Sequence, residues 1–244
     1  AFSSHTSGVI GFVDRKNDSH NQDNNKRTIA NAAAIVQNGD VRGIYHKSFL
    51  PNYSVFDEAR YFSKGTEPNT LFWYDDIAIG INICEDIWIE DGPAEEQVKQ
   101  GASLIININA SPYDIHKSET RKEIVMKKAL KLNVPIIYLN MVGGQDELVF
   151  DGGSFVVNDL GEIIYQASSF KEEVFHLDID LKTNKQNDKS PLIIRPKTIE
   201  LKDVESKASL SKNESIYSAL KLGLKDYVRT VSYTHLTLPT SPHV

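Results

Sequence analysis

The sequence predicts an α/β fold with mixed sheets. Hairpin signals and strand–helix–strand units occur in the same chain, and a purely parallel doubly wound sheet would not need so many hairpins. Composition agrees. Of 244 residues, 40% are hydrophobic and 25% charged, which is ordinary globular usage and enough chain for one large domain, or one domain plus pieces of another.

Val9–Asp14 opens as a strand, with Val9, Ile10, Phe12 and Val13 as its apolar group. Asp14–Arg27 clusters Asn, Asp, Ser and His and reads as an exposed loop. Ala30–Val36 and Val41–His46 are strands around Asn38-Gly39, a strong hairpin turn signal. Ile77–Cys84 alternates, with Ile77, Ile79, Ile81 and Ile83 on one side and Ala78, Gly80 and Asn82 on the other. Pro93–Gly101 suits a short helix with proline near its start and glycine past its end. Ser103–Ser111 is a strand in which Leu104, Ile106, Ile108 and Ala110 share one face and Ile105, Asn107, Asn109 and Ser111 the other. That polar row has two readings, the lining of a polar cavity or a solvated face. Glu119–Asn133 is a helix with Ile124, Met126, Ala129, Leu130 and Leu132 as apolar positions, and Ile136–Asn140 is a strand after Pro135. Ser154–Asn158 and Glu162–Gln166 form a second hairpin. Phe175, Leu177, Ile179 and Leu181 alternate with His176, Asp178 and Asp180, as a strand with one wet face does. A polar, linker-like stretch runs on to about Lys212. Asn213–Thr230 is an amphipathic helix carrying Ile216, Leu220, Leu224 and Val228, with Asn213 as N-cap and Glu214 in its first turn.

The net charge of −6 argues against broad nucleic-acid binding. No run of 18 apolar residues occurs, so no membrane span is expected. One cysteine allows no internal disulfide and fits a reducing cytoplasm. The ends read differently from the middle. The first residue is Ala1, the opening is not a signal peptide, and the chain enters a strand almost at once, so upstream strands are expected to be missing. Ser232–Val244, with two prolines and no period, reads as a non-native, sequencing-adapter-derived tail or as a disordered native one.

Four segments carry candidate chemistry. Cys84 ends an apolar strand and Glu85-Asp86-Ile87-Trp88 follows as a turn. A nucleophile at such a junction stands clear of the sheet, and the turn's N–H groups favour a thiolate and an oxyanion. A buried inert cysteine is the plain alternative. Lys47 ends a hairpin strand before the aromatic-rich loop Asn52–Phe62, where a surface lysine would be unremarked. The third segment is Asn107–Tyr113 running to His116-Lys117, and the fourth is Val142–Ser154, whose paired glycines allow tight turns or close backbone approach but also suit a plain loop.

Together YHKSFLPNYSVFDEARYF, NICEDIW, INASPYDIHK and VGGQDELVFDGGSF resemble, in that order, the nitrilase (carbon–nitrogen hydrolase) superfamily, and within it the glutaminase domains of glutamine-dependent NAD synthetases. IYSALKLGLKDYV resembles the opening of the ATP-using domain of such enzymes. The resemblance implies an α-β-β-α sandwich with mixed sheets, here without its first strand and helix. It divides the chain into a carbon–nitrogen hydrolase domain over 1–185, a linker over 186–212, the first helix of a synthetase domain over 213–231, and the tail over 232–244.

The resemblance also implies a Glu-Lys-Cys triad in which Cys84 is the nucleophile and Lys47 the oxyanion donor. The glutamate falls upstream of the segment resembling Ser7–Asp14, so no residue here fills it, and Glu58 and Glu85 sit in other motifs. Tyr53, Ser111, Lys117 and Glu85 are the implied glutamine-binding positions. Lys117 or a partner would hold the α-carboxylate, and Glu85 or backbone carbonyls the ammonium. Ammonia would pass to the synthetase domain, which uses ATP, Mg²⁺ and deamido-NAD; the sequence holds neither a GxxxxGK[ST] nor an SGG-x-DS-type phosphate loop, so that domain is expected to be nearly absent here, and the resemblance implies no cofactor and no metal for the hydrolase domain itself. The implied partners are L-glutamine, the synthetase domain of the same polypeptide and further copies in a homo-oligomer, with no nucleic acid and no membrane. On this reading the chain alone would not hydrolyse glutamine. The rival readings are a stand-alone nitrilase-type amidase on another small amide, a non-catalytic nitrilase-fold interaction module, and an unrelated domain with a buried cysteine.

Overall fold

The computed structural model describes residues 6–15, 29–68, 70–74, 76–181 and 205–230. The expected polar loop beyond Arg15, most of the expected linker and the tail lie outside the described residues.

Three strands, β1 (Ser7–Arg15), β2 (Ile29–Gln37) and β3 (Asp40–His46), form an antiparallel sheet in chain order. β2 and β3 meet at Asn38-Gly39, both at positive φ (55° and 84°), the geometry that a two-residue hairpin loop demands. A short helix, α1 (Glu58–Tyr61), follows within the aromatic loop. The second sheet holds β4 (Leu71–Tyr74), β5 (Ile77–Ile83), β6 (Leu104–Asn109), β7 (Ile136–Asn140), β10 (Phe155–Val157) and β11 (Ile163–Gln166), in the order β11-β10-β7-β6-β5-β4. Its centre, β5-β6-β7, is parallel and its flanks are antiparallel. The parallel crossovers carry α2 (Pro93–Lys99) and α3 (Lys117–Leu132). Asn133 closes α3 in the left-handed region (φ 54°) and Pro135 turns the chain into β7.

The layers follow from which faces are apolar. Ala33, Ile35 and Tyr45 of the first sheet pack on Phe72, Ile81 and Ile83 of the second. The sheets come close where β3 has no side chain: a Cβ on Gly43 would stand 2.2 Å from Phe72 Cε1. On its other face the second sheet presents Ile105, Ile136, Tyr138, Phe155 and Val157 to Ala94 of α2 and to Val125 and Ala129 of α3. Among the described residues this is a helix–sheet–sheet stack.

Several expectations change. α3 buries Val125 and Ala129 together with Arg121, Lys122 and Lys128, while Leu130 is 60% exposed. The buried cations are paired, Arg121 with Asp151 at 2.8 Å and Lys128 with Glu95 at 2.6 Å, so the helix's core face does not read as apolar. Phe175–Leu181 alternates in burial as expected, with Phe175, Leu177 and Ile179 on the cluster of Val156, Tyr165 and Ala167, but forms no ladder and is not a strand. The polar row splits: Asn107 and Asn109 join an amide ladder, while Ser111, just past the end of β6, lines a cleft as one of the two readings expected. Gln97, Asn82 and Asn107 are fully buried in an amide ladder: Gln97 Nε2 donates to Ile81 O (2.8 Å), Asn107 Nδ2 to Asn82 Oδ1 (2.7 Å) and Asn109 Nδ2 to Asn107 Oδ1 (2.7 Å). Val142–Ser154 is no plain loop, since β8 (Val142–Gln145) and β9 (Leu148–Asp151) pair as a hairpin. α4 (Lys212–Thr230) packs on it. The cap of α4 is Ser211 rather than Asn213, since Glu214 Oε2 accepts from Ser211 N and Oγ at 3.0 and 2.6 Å.

Candidate active site

Cys84 leaves β5 as the first residue of a 3₁₀ turn, Cys84–Ile87, with a left-handed φ of 47°. Non-glycine residues adopt that conformation only when their surroundings hold them there. The hold is visible: Asp86 Oδ2 accepts from the N–H of Ile83 at 3.0 Å. The junction expected of a nucleophile is therefore present, with the thiol at the edge of a cleft. Burial pushes the Cys84 thiol up, the Lys47 charge pulls it down, Glu58 and Glu85 push it up, and Lys117 pulls it down.

Lys47 follows β3 and is 1% exposed. Its backbone is pinned to Asn31 O and by Gly65 N–H, each at 2.8 Å. Its Nζ donates to both carboxylate oxygens of Glu58 at 2.7 and 2.8 Å. Glu58 opens α1, so the aromatic loop returns a carboxylate to the lysine eleven residues before it. No sequence period announces this pair; it depends on how the loop folds back.

A cleft of about 240 Å³ is lined by Cys84, Glu85, Tyr53, Ser111 and Lys117, together with Phe56 and Trp88. The four expected binding positions and the expected nucleophile thus line one cleft, while Lys47 does not line it. Tyr53 OH donates to both oxygens of Glu85 at 2.9 and 2.8 Å, and its phenol is pushed up to about 12 by burial and then by Glu85. Lys117 Nζ lies 5.2 Å from the centre of the Phe56 ring, a cation–π contact, and burial followed by the Arg121 charge lowers its pKa. Ser111 is buried and held from two sides: its N–H donates to Asn140 Oδ1 (2.9 Å), and its carbonyl accepts from Arg121 Nη2 (2.8 Å). Asp151 takes both carboxylate oxygens to Arg121 Nη1 at 2.8 Å. Phe56, Trp88, Arg121 and Asp151 carry no sequence signal of a site role, and Glu58, set aside as the triad glutamate, has none for its pairing with Lys47.

This arrangement offers a thiol, a buried ammonium whose charge reaches it, and a cleft carrying the carboxylates of Glu85 and Asp114, the Lys117 ammonium, the His116 imidazole and the hydroxyls of Tyr53, Ser111 and Thr120. Among the described residues no group of three or more His, Cys, Asp or Glu side chains is placed to hold a metal ion. No described helix is long and apolar enough to cross a membrane.

Comparison with known proteins gives the family of the chain. Residues 4–187 match the model of the family described as carbon–nitrogen hydrolase. A glutamine-dependent NAD(+) synthetase of Aquifex aeolicus is 39% identical over 227 residues, which is 86% of this chain and 40% of that protein. The glutamine-dependent NAD+ synthetase of Acinetobacter baumannii, solved with adenosine diphosphate, superposes with a TM-score of 0.73 at 36% identity over 91% of this chain and 37% of its own. A carbon–nitrogen hydrolase from Helicobacter pylori G27 shares the fold alone, with a TM-score of 0.61 at 22% identity over 69% of this chain and 60% of its own. The chain spans about two-fifths of the length of the curated relatives it matches.

Proposed function

The chain belongs to the carbon–nitrogen hydrolase family, and we propose that its cleft hydrolyses the side-chain amide of L-glutamine to feed ammonia to NAD synthesis. The observation that carries this is the convergence on one cleft of the thiol with Tyr53, Glu85, Ser111 and Lys117. A small zwitterionic amide needs a cation for its carboxylate and an anion for its ammonium, and Lys117 and Glu85 supply one of each.

Cys84 Sγ attacks the amide carbon, a thioester forms, ammonia leaves, and water releases glutamate and the thiol. Lys47 donates to the tetrahedral oxyanion, a role worth about 3–4 kcal/mol per donor. Of the carboxylates whose charge reaches the thiol, Glu58 holds both oxygens on Lys47 and Glu85 holds both on Tyr53. Neither is assigned to take the thiol proton, and no other described residue is. The 244-residue chain alone is therefore expected to release ammonia from glutamine far below an enzyme's rate. By the same reading 1–185 is the hydrolase domain and α4 opens the synthetase domain of a longer, homo-oligomeric cytoplasmic enzyme. ATP, Mg²⁺ and deamido-NAD belong to that second domain. Among the described residues no group of three or more His, Cys, Asp or Glu side chains is placed to hold Mg²⁺.

Cys84 is the single cysteine, so its alkylation by iodoacetamide reads the site without ambiguity. Glutamine should slow that alkylation in the 244-residue chain, and Lys117→Ala should weaken the protection. Equal protection by acetamide or another simple amide would favour the stand-alone amidase, and no protection by glutamine would overturn the proposal.

A further inference from the structure

Cys84 and Lys47 ride on different sheets. Lys47 is tied through its own backbone to Asn31 O on β2 and to Gly65 N–H, neither of which reaches the Cys84 turn. The tie across the sandwich is the side chain of Asp86, which is fully buried. Its Oδ1 accepts from the N–H of Ser48 at 3.2 Å and of Phe49 at 2.8 Å, the two residues that follow Lys47. Its Oδ2 accepts from the N–H of Ile83, just before Cys84, at 3.0 Å and from Tyr45 OH at 2.9 Å. Asp86 itself does not line the cleft.

We propose that Asp86 is a positioning residue that fixes the Lys47 ammonium against the Cys84 sulfur by clamping both backbones on one carboxylate. The proposal rests on the glutaminase reading only for what the aligned pair does. Four donors converge on two oxygens, and only an ionised carboxylate accepts from all of them while offering no donor of its own. A buried carboxylate is costly unless so satisfied. An asparagine would set an NH₂ against backbone N–H groups on one side or the other, and so release either the Lys47 turn or the Cys84 turn. The titratable groups facing Asp86 are Tyr45 of β3 and Lys47. Burial and the Asp86 charge hold Tyr45 protonated, so it remains a donor. The left-handed φ of Cys84 is the second sign of a clamp, because that strain needs support, and Asp86 joins the strained turn that contains it to the Lys47 segment.

The test follows the pH dependence of Cys84 alkylation in the 244-residue chain for the parent, Asp86→Asn, Lys47→Met and the double variant. Loosening Lys47 should raise the thiol's titration midpoint, so each single variant alkylates about three- to ten-fold more slowly near neutral pH. Because Asp86 acts through Lys47, the double variant should be no slower than Lys47→Met. A purely electrostatic role predicts the reverse sign, since removing a nearby negative charge lowers the thiol's pKa. An unchanged or lowered midpoint in Asp86→Asn, or fully additive effects, overturns the proposal. Should Asp86→Asn lose its far-UV circular dichroism, Tyr45→Phe takes its place. That variant keeps the carboxylate and removes one of its four donors, and should raise the midpoint by a smaller amount; no rise there also overturns the proposal. The measurement uses no glutamine, so failed protection by glutamine counts against the functional reading alone.

Discussion

Asp151→Ala is the sharpest test of how the substrate-facing strand end is held. The Arg121 and Asp151 side chains are 3% and 6% exposed, so solvent screens their attraction little. Removing Asp151 takes both acceptors from Nη1 and leaves the guanidinium on three neutral oxygens, Ser111 Oγ, Ser111 O and Pro112 O. Stranding one member of a buried pair costs about 3–5 kcal/mol. A chain of this size loses about 2–4 °C of Tm per kcal/mol, so the variant should melt about 6–20 °C lower. The assay is thermal unfolding followed by circular dichroism at one protein concentration and pH. The double variant Arg121→Met with Asp151→Leu removes both charges and should recover much of the loss. A drop below about 2 °C for Asp151→Ala, or a double variant as unstable as the single, would refute the reasoning, because it would mean that water already reaches the guanidinium.

Three further outcomes are expected. The Cys84 thiol should titrate above a free thiol measured in parallel, because burial outweighs the pull of Lys47; a lower midpoint would show the site wetter or more cationic than described. Asp86 is pushed up to about 6, because burial outweighs the hydrogen bonds that favour its ionised form; since the folded value lies above the ordinary 3.8, forming the ionised clamp costs the fold stability, with none of that cost below about pH 3.8 and all of it above about pH 6. The Tm of the parent relative to Asp86→Asn should therefore fall between about pH 4.5 and pH 7, and a flat or rising difference contradicts that sign. Gly43→Ala sets a Cβ 2.2 Å from Phe72 Cε1 and should cost about 1–3 kcal/mol in chemical denaturation, with Phe72→Leu recovering part of it; an unchanged midpoint would show the two sheets free to part.

Local rules sufficed where local chemistry decides. Asn38-Gly39 demands a hairpin, Pro93 starts α2, and Asn133 before Pro135 ends α3, all as the sequence suggests. They failed where distant partners decide. β4 is only Leu71–Tyr74 and exists because β5 offers it an edge. Phe175–Leu181 has the alternation of a strand but no ladder partner. The core face of α3 is masked by Arg121, Lys122 and Lys128, whose counter-charges come from other elements or from the helix itself. At the site, Cys84, Glu85, Tyr53, Ser111 and Lys117 were legible from their motifs and share the cleft. The Lys47–Glu58 pair and the Asp86 clamp were not, because a carboxylate does not reveal from sequence which ammonium or N–H it will meet across a sandwich.

One of the paired glycines of β8, Gly144, gains its explanation from α4. A Cβ on Gly144 would lie 3.1 Å from Gly223 Cα and one on Gly223 would lie 3.0 Å from Val149 Cγ2, so the helix backbone sits close on the hairpin where neither position carries a side chain. That approach brings Asp226 Oδ2 to the N–H of Gly144 at 2.8 Å and Ser215 Oγ to Tyr113 OH at 2.8 Å. Tyr113 in turn donates its N–H to Val149 O of β9 at 2.7 Å, and Pro112 bridges Phe150. The segment that bears Ser111 is thus bound to β9 on one side, to Arg121 of α3 on another and to Asn140 of β7 on a third. Helix α4 touches the first of these supports. Its seat on the hairpin and the placement of Ser111 in the cleft are parts of one hydrogen-bonded assembly, which accounts for glycine at position 144.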